Sequence, residues 1–247
     1  MICNCPRIVI AATNSGAGKT SISLGLTRAL ARRGLKVQTF KVGPDFLDPT
    51  YLTMASERNC YNLDSWMMGN EYLPKLFART TQNADIAIIE GVMGLYDGAS
   101  PTSLDGSTAE VADILDAPIV LIANARGASR SFAAMVKGYS TFEERINISA
   151  VIANRCGSDR HKKWLSESLA AAKLPEMIGA IERQSFPELP SRHLGLVTAD
   201  RETLKVEVID KLADICEQNI DIDALLELAS KAPAIEAENE QVTNSAK

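Results

Sequence analysis

Thr13-Asn14-Ser15-Gly16-Ala17-Gly18-Lys19-Thr20 sets two glycines, a lysine and a hydroxyl residue at spacings that suit one task, the cradling of phosphate oxygens. Gly16 and Gly18 let backbone N–H groups turn inward around an anion. Lys19 brings a positive charge to the β- and γ-phosphates of a nucleotide, and the Thr20 hydroxyl suits a Mg²⁺ ion. The helix expected to start at Thr20 and Ser21 adds its N-terminal dipole. The pattern G-x-x-x-x-G-K-[ST] would place glycine at position 13, where this chain has Thr13. A Gly-rich turn with no ligand is the alternative. Against it, Lys19-Thr20 follows glycine at the right offset, directly after the apolar run 7–12.

Further acids and amides stand where other strands should end. The loop Lys41-Val42-Gly43-Pro44-Asp45-Phe46-Leu47-Asp48-Pro49 places two carboxylates around a turn. Asp45 and Asp48 suit Mg²⁺, directly or through water, or the orientation of a substrate; ordinary turn chemistry accounts for the same residues. Glu90 closes a strand-like run and is followed by Gly91-Val92-Met93-Gly94-Leu95-Tyr96-Asp97-Gly98. A carboxylate there is expected to organise Mg²⁺, because a buried glutamate without a cation is costly. Gly91 and Gly94 would let backbone approach a ligand closely. Asn154, with Arg155 after it, has the donor and acceptor to pair with an adenine edge, or is simply a turn residue. The nucleotide-contacting set is thus Asn14, Ser15, Gly16, Ala17, Gly18, Lys19, Thr20, Ser21, Lys41, Asn154 and Arg155. His161 reads as a solvated residue on a polar helix, and His193 as a loop residue, structural or facing a substrate.

These loops need a scaffold, and the hydrophobic pattern supplies one. Strands are expected at 7–12, 36–41, 84–90, 118–123, 148–153 and 177–181. Helices are expected at 20–33, 70–80, 108–115, 128–140, 159–172 and 203–217, with a short one at 223–230. Near-continuous apolar strands imply burial on both faces, hence an α/β fold with a mostly parallel sheet between helices. In such sheets ligands bind beyond the carboxyl ends of the strands. Residues 1–230 read as one domain and 231–247 as a polar, acidic tail.

Composition bounds the rest. The chain has 247 residues, 46% hydrophobic and 23% charged, with a net charge of −5. That balance argues against a nucleic-acid surface. No apolar run reaches the roughly 18 residues of a membrane span, and the polar N-terminus is no signal peptide. A cytoplasmic protein is the expectation. Five scattered cysteines give no disulfide framework, and Cys3-Asn4-Cys5 lacks a second Cys/His pair for a metal site.

Taken together and in order, several segments resemble one family. They are Ser15–Thr20, Lys41–Pro49, Asn62-Leu63-Asp64-Ser65-Trp66-Met67, Glu90–Gly98, Ala125-Arg126-Gly127-Ala128-Ser129-Arg130-Ser131 and Leu189–Leu196. The resemblance is to the synthetase domain of cobyrinic acid a,c-diamide synthase, over about residues 6–230. A close relative that amidates Ni-sirohydrochlorin shares most of these motifs. The resemblance implies a dethiobiotin-synthetase-like P-loop NTPase fold and the cofactors ATP and Mg²⁺. It implies a tetrapyrrole substrate whose peripheral carboxylate is phosphorylated and then amidated by ammonia. Carried over by motif, Thr20, Asp45 and Glu90 are expected as Mg²⁺ partners. Lys19, Asp45, Asp48, Glu90 and Asp97 form the catalytic set, with Asp48 and Asp97 near the substrate carboxylate or the incoming ammonia. A homodimer is implied by the same likeness.

This chain departs from the family at three places: Phe46 stands where tyrosine is usual, Leu52 where histidine is usual, and Asn124 where aspartate is frequent. The glutamine amidotransferase domain is absent from these residues, since neither histidine begins a His-x-Glu. Ammonia would then come from solution or from a separate glutaminase subunit or domain. Two other readings compete. A nucleotide-switched module of the partition-ATPase type would lack the Gly-Pro-Asp-x-x-Asp-Pro run and commonly carries lysine where Asn14 stands. A dethiobiotin-synthetase-like ligase would lack the Asn62–Met67 segment.

Overall fold

The computed structural model describes residues 2–187, 189 and 206–237. Seven parallel strands form its central sheet: β2 (Arg7–Ala12), β3 (Val37–Val42), β4 (Tyr61–Leu63), β5 (Ile86–Glu90), β6 (Ile119–Asn124), β7 (Ile148–Cys156) and β8 (Glu176–Glu182). Their order across the sheet is β4-β3-β5-β2-β6-β7-β8. A two-residue strand β1 (Ile2–Cys3) pairs antiparallel with β9 (Ile235–Glu236). The helices are α1 (Lys19–Arg32), α2 (Asp48–Ser56), α3 (Ser65–Met68), α4 (Tyr72–Thr80), α5 (Thr108–Ile114), α6 (Arg130–Phe142), α7 (Asp159–Ala171), α8 (Val206–Asn219) and α9 (Ile222–Ser230).

The two-residue period of the central strand explains why helices cover both faces. Ile8, Ile10 and Ala12 of β2 pack with Ile22, Leu26 and Leu30 of α1, Cys216 of α8 and Leu225 of α9. Val9 and Ala11 point the other way, against Phe77 of α4 and Val111 of α5. Beyond them, Val151 and Ala153 of β7 meet Phe132 of α6 and Leu165 of α7. The apolar runs of the sequence are therefore sheet strands, as expected, with ends shifted by up to three residues.

Besides the β1–β9 pair, three short elements lay unseen in the pattern. The segment read as loop from Asp48 is helix α2, whose first turn contains Pro49; proline fits there because its missing N–H has no partner to lose. β4 is only three residues long and alternates too briefly to register, and α3 is a single turn capped by Asp64, which accepts from the Met67 N–H.

The stretch expected to be a tail from residue 231 includes buried residues. Residues 231–237 are part of the folded unit, because Ile235 and Ala237 are buried beside Cys3 and Cys5. Arg7, wholly buried, ties them down: its guanidinium donates to Leu115 O (2.6 Å), Pro233 O (2.7 Å) and Asp116 O (3.3 Å). Positions 238–247 and His193 lie outside the described residues, as does the helix start expected at 203. Cys3 and Cys5 are buried free thiols, and among the described residues no group of three or more His, Cys, Asp or Glu is placed to hold a metal ion. No helix of the described residues is long and apolar enough to cross a membrane.

One glycine inside α1 shows how closely the helices meet. A Cβ on Gly25 would lie 2.4 Å from Cys216 Sγ and 2.6 Å from the Leu212 carbonyl oxygen of α8. Alanine is the better helix former by about 1 kcal/mol, but backbone of a packed helix cannot yield as a side chain can. Gly25→Ala is expected to lower stability by roughly 1–3 kcal/mol; an unchanged urea midpoint would show that the α1–α8 contact is looser than described.

Candidate nucleotide-binding site

The carboxyl ends of β2, β3 and β5, together with Arg155 at the end of β7, surround a cavity of about 440 Å³ lined by Ser15, Gly16, Gly18–Ser21, Lys41, Asp45, Asp48, Glu90, Val92, Met93 and Arg155. Within the loop from β2 to α1, Gly16 (φ +75°) and Gly18 (φ +107°) adopt the left-handed conformation that favours glycine. Gly18 is needed twice over, since a Cβ there would sit 2.2 Å from Asn154 Nδ2. Thr13, where the common pattern has glycine, is buried; its N–H donates to Ile122 O (3.0 Å) and its carbonyl accepts from the Tyr139 hydroxyl.

Behind the loop lies a buried ion cluster. Lys41 Nζ contacts Asp48 Oδ2 at 2.9 Å and Glu90 Oε1 at 3.2 Å, and donates to Gly91 O at 3.0 Å. The side chains of Lys41, Asp48 and Glu90 are 3%, 2% and 0% exposed. Burial works against the Lys41 charge, but Glu90 and Asp48 outweigh it and hold its proton above the usual lysine value. Burial pushes the Glu90 carboxyl above the ordinary carboxylate range, against the pull of Lys41. Thr20 donates to Glu90 Oε1 at 2.8 Å, whereas Glu90 Oε2 is buried with no hydrogen-bond partner among the described residues. A carboxylate with one orphaned oxygen, its other oxygen held by a threonine hydroxyl, offers the hard oxygen donors a divalent cation takes. Thr20 and Glu90 therefore fit Mg²⁺, and Asp45 lines the same cavity.

Lys19 is nearly buried and donates to Met93 O. Burial, reinforced by Lys41, depresses its pKa to about 8, with Glu90, Asp48 and Asp97 opposing. Met93 holds φ +45°, a strained conformation for a side-chain-bearing residue, at the point where its carbonyl meets Lys19.

Several expected residues do something other than the sequence implied. Asn154 is 4% exposed and turned into the phosphate loop: Nδ2 donates to Ala17 O (2.7 Å) and Oδ1 accepts from Arg155 N (2.8 Å). Its amide braces the loop. Arg155 reaches the same loop through Gly16 O at 2.9 Å. Gly91 and Gly94 permit close approach of protein to protein; Cβ atoms there would meet Thr108 at 2.6 Å and Asp97 at 2.5 Å. Lys41 points its ammonium into the ion cluster. Asp45 accepts from the N–H groups of Leu47 (2.8 Å) and Asp48 (3.2 Å), so it also starts α2. Asp97 lines an adjoining cleft and accepts from Gly94 N at 2.9 Å. His161 is not simply solvated. It clamps two loops, with Nδ1 accepting from Gly157 N (2.9 Å) and Nε2 lying 2.6 Å from Ala128 O.

The departures are mild. Phe46 is 57% exposed, Leu52 packs in an apolar cluster with Leu24 and Leu212, and Asn124 Oδ1 accepts from Arg126 N at 3.0 Å as a carboxylate would. Sequence reasoning missed Tyr139, which reaches Thr13 from α6, and Asn62, whose Nδ2 donates to Gly43 O (2.8 Å) and Asp45 O (2.6 Å). For Tyr139 no local signal exists; for Asn62 the signal was the motif that contains it.

A parallel sheet, a Gly-rich turn into a helix and a lysine-threonine pair at its start together define a P-loop nucleotide-binding protein of the α/β class. A family model described as "CobQ/CobB/MinD/ParA nucleotide binding domain" matches residues 8–197, and the chain belongs to that family. It is 61% identical over 231 residues to a cobyrinate a,c-diamide synthase of Syntrophotalea carbinolica and 46% identical over 232 residues to one of Dehalococcoides mccartyi, covering 94% of this chain and 50% of each relative. A hydrogenobyrinate a,c-diamide synthase of Streptomyces coelicolor is 42% identical over 231 residues, 93% of this chain and 47% of the relative. The chain thus spans about half the length of the curated relatives it matches.

Two measurements follow from this geometry. If Asn154 braces the loop, Asn154→Ala weakens ATP and GTP binding alike, by roughly tenfold; loss of ATP preference alone would restore the adenine reading. Because Lys19 titrates near 8 and a triphosphate would hold its proton, nucleotide binding is expected to take up protons above that pH and none from this group well below it. Affinity then weakens as pH rises through about 8, and calorimetry in buffers of different ionisation enthalpy checks both points.

Proposed function

We propose that the chain is the ATP-dependent synthetase part of a cobyrinate a,c-diamide synthase, a carbon–nitrogen ligase of cobalamin biosynthesis. The observation that carries this reading is the high identity with cobyrinate a,c-diamide synthases along almost the whole chain. The buried, cation-ready acid cluster beside the phosphate loop supports it. A peripheral carboxylate is a poor acyl donor, and the reaction makes it a good one. One of its oxygens attacks the γ-phosphorus of ATP. The bond from that phosphorus to the β–γ bridging oxygen breaks, and ADP leaves with the electron pair. Ammonia then attacks the acyl carbon, the carbon–oxygen bond to phosphate breaks, and the nitrogen loses its extra proton as the amide forms.

In this scheme Lys19 binds the terminal phosphates and neutralises charge that grows on them. Thr20, Glu90 and Asp45 would hold Mg²⁺, which when bound draws charge from the phosphate oxygens. Lys41 and Asp48 keep Glu90 in place, and the backbone N–H groups of Gly16–Lys19 orient the triphosphate. Asp97 stands towards the acceptor and the ammonia. Free ammonia, or ammonia from a glutaminase domain or subunit, is the nucleophile. A homodimer and a cytoplasmic setting belong to the same proposal.

Purified protein supplied with ATP, Mg²⁺, ammonium and either cobyrinate or Ni-sirohydrochlorin is expected to yield amides of cobyrinate, detected by mass. Lys19→Ala should retain its fold by circular dichroism and lose at least about 100-fold in rate. Absence of amide with both macrocycles would overturn the proposal, and an unaffected Lys19→Ala would overturn the assignment of that residue.

A further inference from the structure

A second cavity adjoins the nucleotide site. It is a cleft of about 700 Å³ walled by Tyr96, Asp97, Pro101, Leu104, Phe142 and Glu143, a size within the range of small-molecule sites. Ser15 and Met93 line both cavities. Phosphoryl transfer to an acceptor needs the acceptor's oxygen held beside the end of the triphosphate. A molecule lying in this cleft reaches Lys19 by crossing those two shared residues.

The cleft has a built aromatic wall. The Phe142 ring lies 5.0 Å from Tyr96, and Tyr96 stacks on Tyr139 at 5.7 Å. Tyr96 donates its hydroxyl to Tyr139 O at 2.6 Å, and the Tyr139 hydroxyl donates to Thr13 O at the start of the phosphate loop. The outermost ring of this anchored ladder, Phe142, is nevertheless 69% exposed, so folding gains little by holding it there. Among the described residues none lining the cleft is a lysine or arginine, while Asp97 and Glu143 are both acidic. The two acids disfavour a carboxylate beside them, whereas Tyr96, Leu104 and Phe142 offer an apolar face to the flat part of a ligand.

We propose that this cleft is the acceptor subsite, in which Phe142 and Tyr96 stack on one face of a flat macrocyclic polyacid and thereby set which peripheral carboxylate crosses Met93 towards Lys19. The inference rests on the function proposed above and deepens it, for it assigns the specificity-determining wall. It does not require turnover to be tested.

Equilibrium binding of cobyrinate to the full chain, loaded with Mg²⁺ and a non-hydrolysable ATP analogue, reads the subsite directly by calorimetry. Phe142→Ala is expected to weaken cobyrinate binding roughly tenfold, to leave analogue binding unchanged, and to be rescued by Phe142→Trp. In turnover with ammonium the same variant should alter the ratio of the two monoamide isomers. Trp66→Ala, which removes an equally exposed ring outside the cleft, should change neither. Unchanged cobyrinate affinity in Phe142→Ala, an equal loss in Trp66→Ala, or no cobyrinate binding by the unaltered chain would each overturn the subsite. Binding without amide formation by the unaltered chain would overturn the ligase reaction and leave the subsite standing.

Discussion

The site depends on a buried group of one ammonium and two carboxylates, Lys41, Asp48 and Glu90, contributed by the end of β3, the start of α2 and the end of β5. Taking such charges out of water costs several kcal/mol per ion, and only close, well-directed contacts offset the cost. Here Lys41 has three acceptors, but two acids share one cation, and one oxygen of Glu90 has no partner among the described residues. The cluster is therefore incomplete in charge. Lys19 offsets part of the deficit, and Glu90 and Asp48 in turn oppose the burial that loosens its proton. A divalent ion at Thr20 and Glu90 would balance the remainder. The constraint that makes the cluster expensive is also what prepares it for a metal–triphosphate.

The surrounding loops are shaped by close approach. Gly18, Gly91 and Gly94 each sit where a side chain would strike Asn154, Thr108 or Asp97. These contacts draw the phosphate loop, the β5–α5 loop and the end of β7 into one rim. Met93 accepts a strained backbone so that its carbonyl can meet Lys19, an arrangement that persists only where neighbours over-determine it. Tyr139 links α6 to Thr13 across the same rim. The phosphate loop and the adjoining cleft thus share supports.

How much of this was legible depended on range. The long strands and helices were readable because burial on two faces writes a periodic pattern over many residues. The phosphate loop was readable because its chemistry is local. α2 was hidden because Asp45, Asp48 and Pro49 serve equally as turn residues and as a helix start, and only the capping bonds to Leu47 and Asp48 decide it. The Asn154 amide looked available because its partner, Ala17 O, lies far off in sequence. Ile235 and Ala237 sat in a polar stretch, and nothing local marked the pairing with β1 or the grip of Arg7. Contacts between distant segments, not the identity of the residues, were what the chain alone did not reveal.

The most direct test of the account is calorimetric titration of ATP into the unaltered protein and into Glu90→Gln, each with and without Mg²⁺. If the buried cluster awaits a divalent ion, Mg²⁺ strengthens ATP binding to the unaltered protein, and the gain disappears in Glu90→Gln while the fold is retained. Equal ATP affinity with and without Mg²⁺ in the unaltered protein, or an undiminished gain in the variant, would contradict it.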